Sequence, residues 1–284
     1  MTARELYLRA KAQLTKAGVD SPGFDAARLS ERFLGLDRSE LALQGDEAPD
    51  EKKRQEFLEA VSQRAERRPL QYILGEWPFM SLTLSVGEGV LVPREDTAAL
   101  VEALAARIGK GARGLDLCAG SGAVGLGICS KVPGAQVICV ELDEKAGEFL
   151  DRNIARYPQY SCRAAAGDVL RGPEQGAFPK GLDFIASNPP YIATGELSAL
   201  QPEVQKEPSL ALDGGGDGLT FYRAILEKWA PLLRPGGALG VETGDTQARE
   251  VTELFARSGF VDITVHKDLA GLDRAVTAAK GSPV

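Results

Sequence analysis

The sequence holds a single histidine, His266, near its C-terminus. Ser-His-Asp relays and histidine-rich zinc sites therefore have almost nothing to be built from, and no metal is expected. Cysteine is sparse as well. Cys118, Cys129, Cys139 and Cys162 form no Cys-x-x-Cys pair and lie in apolar strand-like or helix-like surroundings. Free buried thiols fit that pattern better than a disulfide framework or a metal cluster. No apolar run approaches the ~18 residues of a membrane span. The start, Met1-Thr2-Ala3-Arg4-Glu5-Leu6-Tyr7, lacks both the basic flank and the apolar run of a secretory signal, so a cytoplasmic location is expected. No Gly-Lys-Ser/Thr follows a glycine loop, which removes the usual grip on a nucleoside triphosphate. A basic surplus is missing too: 33 Lys+Arg stand against 40 Asp+Glu, a net charge of −7. Residues 1–75 carry 13 of each sign, so the whole deficit, 20 basic against 27 acidic residues, lies beyond them. Affinity for a phosphate backbone comes mostly from Lys and Arg, so an acidic larger part makes a direct nucleic-acid partner unexpected.

What is present is enough for a sizeable core. At 284 residues with 44% apolar content, the chain has the length of about two domains. The first part reads as helices. Thr2-x-x-Glu5 is a capping-box pattern ahead of Leu6, Ala10 and Leu14 at helical spacing. Ser21-Pro22 supplies an N-cap and a first-turn proline for a helix with Ala26, Leu29 and Phe33 on one face. Asp50 can cap a third helix carrying Phe57, Leu58, Val61 and Ala65. A helical bundle over residues 1–68 is the expectation. From 69 to 92 the pattern changes: Gln71-Tyr72-Ile73-Leu74, then Phe79-Met80 and the alternating Leu82, Leu84 and Val86 suggest short strands in a β-hairpin linker. Asp96 or Thr97 can cap the helix that follows.

Residues 93–284 form the second domain, and beyond residue 110 strands and helices alternate. Strands are expected at 114–118, 135–140, 161–166, 182–187, 237–242, 260–266 and 275–279. Helices are expected at 122–130, 143–157, 218–233 and 245–258. The fold class is therefore α/β, a doubly wound, mostly parallel sheet of seven strands beside an N-terminal helical bundle. The last two strands have no helix between them, which predicts an antiparallel hairpin at one edge.

Two loops carry the chemistry. After the first strand of this sheet runs Cys118-Ala119-Gly120-Ser121-Gly122, whose glycines allow close backbone approach to a ligand at the start of a helix with free N–H groups. Gly120-x-Gly122-x-x-Gly125 matches the dinucleotide fingerprint, and Glu141 ends the next strand, where a carboxylate can accept from ribose hydroxyls. NAD and S-adenosylmethionine suit such a unit almost equally. Asp168 and the Val169 backbone, after the third strand, are placed to meet an adenine amino group, though alone they read as a loop cap. After the fourth strand stands Asn188-Pro189-Pro190-Tyr191. The asparagine offers an acceptor and a donor, the prolines fix φ and cannot donate, and the tyrosine adds an aromatic face. That inventory suits a planar group bearing NH2: two acceptors for its two hydrogens, and a ring to cover it. An Asn-Pro dipeptide by itself reads first as a rigid loop. The joint pattern of Asp116 with the glycine turn, Glu141, Asp168 and the Asn188 corner, each after a successive strand, is more specific, because ligands in open α/β sheets sit at the carboxyl ends of strands.

In these motifs the chain resembles the class I S-adenosylmethionine-dependent methyltransferases, in which Asn-Pro-Pro-Tyr after the fourth strand marks those that methylate amide or exocyclic amino nitrogen. It is most similar to the peptide chain release factor glutamine methyltransferases, the HemK family. The likeness extends over residues 68–75, 90–97, 207–215, 217–223 and 268–274 and over the helical N-terminal part. The resemblance implies a Rossmann-like methyltransferase sheet, with Cys118, Ala119, Gly120, Ser121 and Gly122 beside the methionine part of S-adenosylmethionine. It also implies Glu141 at the ribose, Asp168 and Val169 at the adenine, and Asn188 facing both cofactor and substrate. Asn188, Pro189, Pro190 and Tyr191 would bind the substrate, with Asn188, Pro189 and Tyr191 catalytic. Family members often carry an aromatic residue where Val169 stands. The implied partner is a class I peptide chain release factor, methylated at the Gln of its Gly-Gly-Gln motif in translation termination, with the helical part helping to hold it. An adenine-N6 nucleic-acid methyltransferase and a glutamine methyltransferase of a ribosomal protein share the corner's logic. An NAD-dependent oxidoreductase or a non-catalytic binding module leaves the corner unexplained.

Overall fold

The computed structural model describes residues 1–282, which fall into two compact units: Met1–Glu76 with Gln201–Lys206, and the remainder. In the first unit, helix α1 (Ala3–Lys16) starts at a complete capping box. Glu5 N–H donates to Thr2 Oγ1 at 3.2 Å, and Thr2 N–H donates to Glu5 Oε2 at 2.9 Å. Its inner stripe, Leu6, Ala10 and Leu14, is buried. Helix α2 (Pro22–Leu34) takes Pro22 in its first turn, but the Ser21 side chain makes no cap bond. It closes on Gly35 at φ 73°, a left-handed conformation that suits glycine. Helix α3 (Arg38–Gln44), not anticipated from the sequence, begins at a second capping box, Asp37 with Glu40. Helix α4 (Glu51–Ala65) is capped by Asp50, which accepts from Lys53 N–H at 2.9 Å.

Residues 71–74 are not a strand. Leu70–Leu74 form a short helix, α5, bracketed by Pro69 at its N-cap and Gly75 at φ 80° at its end. A four-residue apolar run does not distinguish strand from helix, and here the flanking proline and glycine decide. The unit's polar centre is a chain of ion pairs: Arg64 Nε to Asp25 Oδ2 at 2.6 Å, Arg64 Nη2 to Glu203 Oε1 at 2.7 Å, and Arg67 Nε and Nη2 to the two Glu203 oxygens at 2.7 Å each. Burial works to raise Glu203, yet hydrogen bonds from Arg67 and Arg64 overcome it and bring its pKa to about 2.

Apart from its first residue, a two-stranded hairpin, β1 (Glu76–Phe79) and β2 (Leu82–Ser85), opens the second unit. Its sheet has seven strands: β3 (Arg113–Leu117), β4 (Gln136–Glu141), β5 (Ser161–Ala166), β6 (Leu182–Ser187), β7 (Leu233–Glu242), β8 (Phe260–Lys267) and β9 (Asp273–Lys280). Their order is β5-β4-β3-β6-β7-β9-β8. All neighbours run parallel except β9, which is antiparallel to both β7 and β8. The final hairpin thus closes the edge with β8 outermost.

The side-chain period of two splits the sheet's core into layers. Phe184 and Ala186 point to one side, toward Leu100 and Leu104 of α6 (Ala98–Ala105) and Leu126 and Ile128 of α7 (Ala123–Lys131). Leu115, Leu117 and Ile185 point to the other, with Val251 and Phe255 of α10 (Ala248–Arg257), and Tyr222 and Trp229. Helix α8 (Glu144–Arg156) follows β4. The helix expected at 218–233 is broken: α9 (Thr220–Ala224) passes into a π-helical turn at Ile225–Trp229 and a 3₁₀ turn at Ala230–Leu232. Pro231 lacks an N–H and crowds the preceding turn, which accounts for the change of winding. From β3 the chain winds outward through β4 and β5, then returns to β6 and continues the other way through β7. The order therefore reverses between β3 and β6, and the loops that leave these two strands flank the crevice.

Candidate active site

At that crevice lies a cavity of ≈ 340 Å³. Its wall includes Cys118, Ala119, Gly120, Ser121, Glu141, Asp168, Val169, Asn188 and Pro190. The two loops meet because β3 and β6 pair in register: Leu117 stands opposite Ser187, whose hydroxyl donates to the Leu117 carbonyl at 2.7 Å. Cys118 and Asn188 are the next residues along each strand.

The glycine turn is shaped almost entirely by backbone. Cys118, Gly120 and Gly122 hold positive φ of 58°, 54° and 83°. The left-handed region is strained for a cysteine and easy for glycine. A Cβ on Gly122 would also meet Leu150 Cδ1 at 2.8 Å. Gly122 itself stands just behind the wall, at the head of α7. Glu141 ties the turn to the end of β4: Oε2 accepts from Gly120 N–H at 2.7 Å, and Oε1 from Leu142 and Asp143 N–H at 2.8 and 2.9 Å. A carboxylate has about four acceptor sites, so these three bonds leave it able to take a hydroxyl from the cavity. Asp168 is oriented by its own loop, its Oδ1 accepting from Leu170 N–H at 2.8 Å. The Val169 carbonyl is taken by Trp229 Nε1 at 3.0 Å, while its side chain faces the cavity. Two supports stand behind the turn, of which Asp116 was singled out from the sequence and Asn153 was not. Asn153 of α8 donates to the Ser121 carbonyl at 2.9 Å. Asp116, fully buried, accepts from Gly125 N–H at 2.8 Å at the start of α7. Burial is the main force on Asp116, and the Gly125 bond offsets only part of it, leaving the pKa at about 7.

The corner is held instead by side chains from distant elements. Asn188 Nδ2 donates to Thr97 Oγ1 at 3.3 Å. Gln247 Nε2 donates to the Tyr191 carbonyl at 2.8 Å, and the Tyr191 hydroxyl approaches Glu242 Oε1 at 3.5 Å. Asn188 and Pro190 line the cavity, whereas Pro189 and Tyr191 are not part of its wall. Tyr191 is mostly enclosed, and burial, reinforced by the Glu242 charge, pushes its phenol well above the usual value. The glycine-rich run Gly214 to Gly218 packs directly on it: a Cβ on Gly214 would lie 2.8 Å from the Tyr191 backbone and one on Gly218 2.4 Å from its carbonyl oxygen. The wall is completed by Arg94, Thr97, Leu210 and Phe221. Glu207 anchors this side, accepting from Val92 N–H at 3.0 Å and pairing with Arg94. Phe221 is an aromatic cavity residue beyond those singled out from the sequence.

The chemistry of the wall suits a nucleoside joined to a small polar chain. It has carboxylates where hydroxyls and an amine need acceptors, a close-approach backbone turn at a helix head, and apolar Leu142, Val169, Leu210 and Phe221 between them. S-adenosylmethionine fits that description.

Comparisons with known proteins agree. Residues 5–75 match the family model of the PrmC N-terminal domain, and residues 94–219 that of the methyltransferase small domain. A release factor glutamine methyltransferase of Geobacter sulfurreducens is 38% identical over 97% of this chain and 95% of its own length. One from Mycolicibacterium smegmatis is 39% identical over 95% of each. Among solved structures, a methyltransferase from Pyrococcus furiosus aligns with 72% of this chain and 91% of its own at a TM-score of 0.53 and 19% identity, a likeness of fold. With the glycine turn and the asparagine corner meeting at one crevice, and relatives this similar along nearly the whole chain, the chain belongs to the release factor glutamine methyltransferase family.

Proposed function

We propose that the Asn188–Tyr191 corner receives the side-chain carboxamide of a release factor glutamine and that the cavity beside it holds S-adenosylmethionine. The observation that carries this is the junction at the β3/β6 switch point, where Asn188 and Pro190 share one wall with the glycine turn, Glu141 and Asp168. In this reading Glu141 takes the ribose hydroxyls, Asp168 and Val169 border the adenine, and residues 118–122 run beside the methionine chain. The cofactor supplies an electrophilic methyl group on a sulfonium sulfur. The protein supplies position. An amide nitrogen is a weak nucleophile because its lone pair is shared with the carbonyl, so orientation must contribute much of the rate. Asn188 Oδ1 and the Pro189 carbonyl accept the two NH2 hydrogens, which turns the nitrogen lone pair toward the cavity and favours the positive charge that develops there. The Tyr191 ring adds a cation–π contribution of about 0.5–2 kcal/mol.

The partner in this proposal is a class I release factor with its Gly-Gly-Gln loop. The domain division is residues 1–68 for substrate holding, 69–92 as the linker and 93–284 for methyl transfer. The place of action is the cytoplasm. Among the described residues no helix is long and apolar enough to cross a membrane. Incubation with methyl-labelled S-adenosylmethionine and a release factor, a ribosomal protein fraction and DNA in parallel tests the reading. Label in the release factor that vanishes when its Gly-Gly-Gln glutamine is replaced supports it; label in either other substrate alone sinks it.

A further inference from the structure

The corner has little backbone freedom of its own. Pro189 and Pro190 fix two φ angles, and Ser187, ahead of them, is paired with β3 at the end of β6. On the far side, the peptide between Tyr191 and Ile192 is gripped at both of its polar groups. Its N–H donates to the Leu212 carbonyl at 3.0 Å, and its carbonyl accepts from Gln247 Nε2 at 2.8 Å. With the strand fixed at one end and this peptide at the other, the direction of the Pro189 carbonyl follows from where the peptide is held.

Gln247 stands at the N-cap of α10, and a glutamine amide can present either its oxygen or its nitrogen. Gly244 removes the choice. Gln247 N–H donates to the Gly244 carbonyl at 3.1 Å, and Gly244 N–H returns a bond to Gln247 Oε1 at 3.1 Å. A backbone N–H can only donate and a carbonyl can only accept, so the flipped amide would set donor against donor at Gly244 and acceptor against acceptor at Tyr191. The slot around the amide is cut from glycines. A Cβ on Gly244 would lie 3.0 Å from Gln247 Oε1, and one on Gly218 would lie 2.6 Å from Gln247 Nε2 and 2.4 Å from the Tyr191 carbonyl oxygen. Neither wall leaves room for a side chain unless the amide moves.

We propose that Gln247 is a positioning residue for methyl transfer: with an amide whose orientation Gly244 dictates, it clamps the Tyr191 carbonyl and so aims the Pro189 carbonyl at the substrate amide. The inference rests on the assignment of Asn188 and Pro189 to that amide. Gln247 is not part of the cavity wall, so its action passes through the corner's backbone. The clamp needs a glutamine. An aliphatic side chain of the same length loses both bonds. A glutamate keeps the Gly244 bond but, when ionised, turns a second acceptor on the Tyr191 carbonyl; protonated, it donates there and rebuilds the clamp. The acidic groups around residue 247 would favour that protonated form: Asp245 and Glu250 along the chain, Asp217 next to Gly218, and Glu242, which the Tyr191 hydroxyl approaches at 3.5 Å. Arg274, at 3.5 Å from the Thr243 carbonyl, opposes them, as do Arg223 and Arg249, which are paired with Asp217 and Glu250.

The test uses the full-length protein, S-adenosylmethionine and a release factor, with kcat and KM measured from about pH 5.5 to about pH 8 and cofactor binding followed separately by calorimetry. Gln247→Met should lower kcat by about 10- to 100-fold, the cost of a slightly misplaced reacting group. Its KM and cofactor Kd should stay within about threefold of wild type, the split expected when only transition-state positioning is lost. Gln247→Glu should be as slow as the methionine variant at about pH 8, and its kcat relative to wild type should climb at least about threefold by about pH 5.5, as protonation restores the donor. Wild-type kcat in Gln247→Met, a loss shared equally by cofactor affinity, or a glutamate variant whose ratio to wild type stays flat would each overturn the inference while leaving the site assignment standing. A wild type that leaves the release factor unmethylated sinks the assignment itself, and this inference with it.

Discussion

The two loops that meet at the crevice are built by opposite means. The glycine turn is held by its own backbone: positive φ at Cys118, Gly120 and Gly122, and a neighbouring carboxylate, Glu141, that accepts from main-chain N–H groups of residues 120, 142 and 143. The corner is held by side chains brought from Thr97, Glu242 and Gln247, each dozens of residues away. A backbone-built loop tolerates few changes of its own residues but is insensitive to distant ones. A side-chain-built loop can be loosened from afar. The difference suits the division of labour proposed for them, with binding of a constant cofactor on one side and aim at a reacting amide on the other.

The sharpest way to break this comparison is to change the corner and ask whether the turn notices. Asn188→Ala should reduce methyl transfer by on the order of a hundredfold or more, the cost of removing a group that acts on developing charge. The affinity for S-adenosylmethionine should stay within about threefold, since that is held by the other loop. A comparable loss in cofactor affinity, read by calorimetry, would show that the loops are not separable. The reciprocal change is next in size. Glu141→Ala removes a carboxylate that organises the turn and should weaken cofactor binding by about 2–3 kcal/mol, roughly 30- to 150-fold. Turnover at saturating cofactor should fall far less.

The contrast also explains what could be read from the sequence. The glycine turn was legible because its determinants are contiguous: a strand, glycines where φ must be positive, and an acidic residue at the end of the next strand. The mostly parallel sheet and the antiparallel edge followed from alternation and from the missing helix between β8 and β9, whereas the order of the strands across the sheet came only with the structure. Asn188 was visible as part of a rigid tetrapeptide, but Thr97 read only as a helix cap, and its side chain makes no cap bond. Glu242 looked like any strand-end residue. Both owe their surroundings to packing between segments far apart in the chain, which no local pattern encodes. The failure at 71–74 is of another kind: the flanking Pro69 and Gly75 were in view, and an apolar run of four outweighed them. Asp37-x-x-Glu40 was likewise a readable helix start.

A third experiment sharpens the comparison at the base of the turn. Asp116 carries a raised pKa of about 7 in the folded protein against 3.8 for a free side chain. Between these values the folded state holds a proton that the unfolded state has released. The stability due to this group is therefore complete below about pH 3.8 and declines as pH rises toward about 7, by up to about 1.4 kcal/mol per pH unit. Asp116→Asn removes that dependence while keeping an acceptor for Gly125 N–H. Urea unfolding of the two proteins should show the variant gaining on the wild type as pH rises from about 4.5 to about 6.5. A constant difference would mean that Asp116 is ionised in the fold.

The smallest expected effect is at Glu203, where side chains again do the holding, within the helical unit. Arg64 and Arg67 converge on its carboxylate, and its pKa falls to about 2 from 4.5 despite the burial that opposes them. Here the sign is reversed: the stabilisation is fully present above about pH 4.5 and is lost as pH falls through about 2. Glu203→Gln keeps an acceptor but removes the charge, and should cost about 1–2 kcal/mol at neutral pH, near the value of a hydrogen bond to a charged group. At about pH 3 the gap between variant and wild type should narrow, because the wild-type chain then gains a proton on unfolding. A gap that is equally wide at both pH values would place the contribution of Glu203 in its packing rather than its charge. The segment 201–206 would then be fixed by shape, as the glycine turn is, and the separation between the two modes of construction would no longer follow the chain in this simple way.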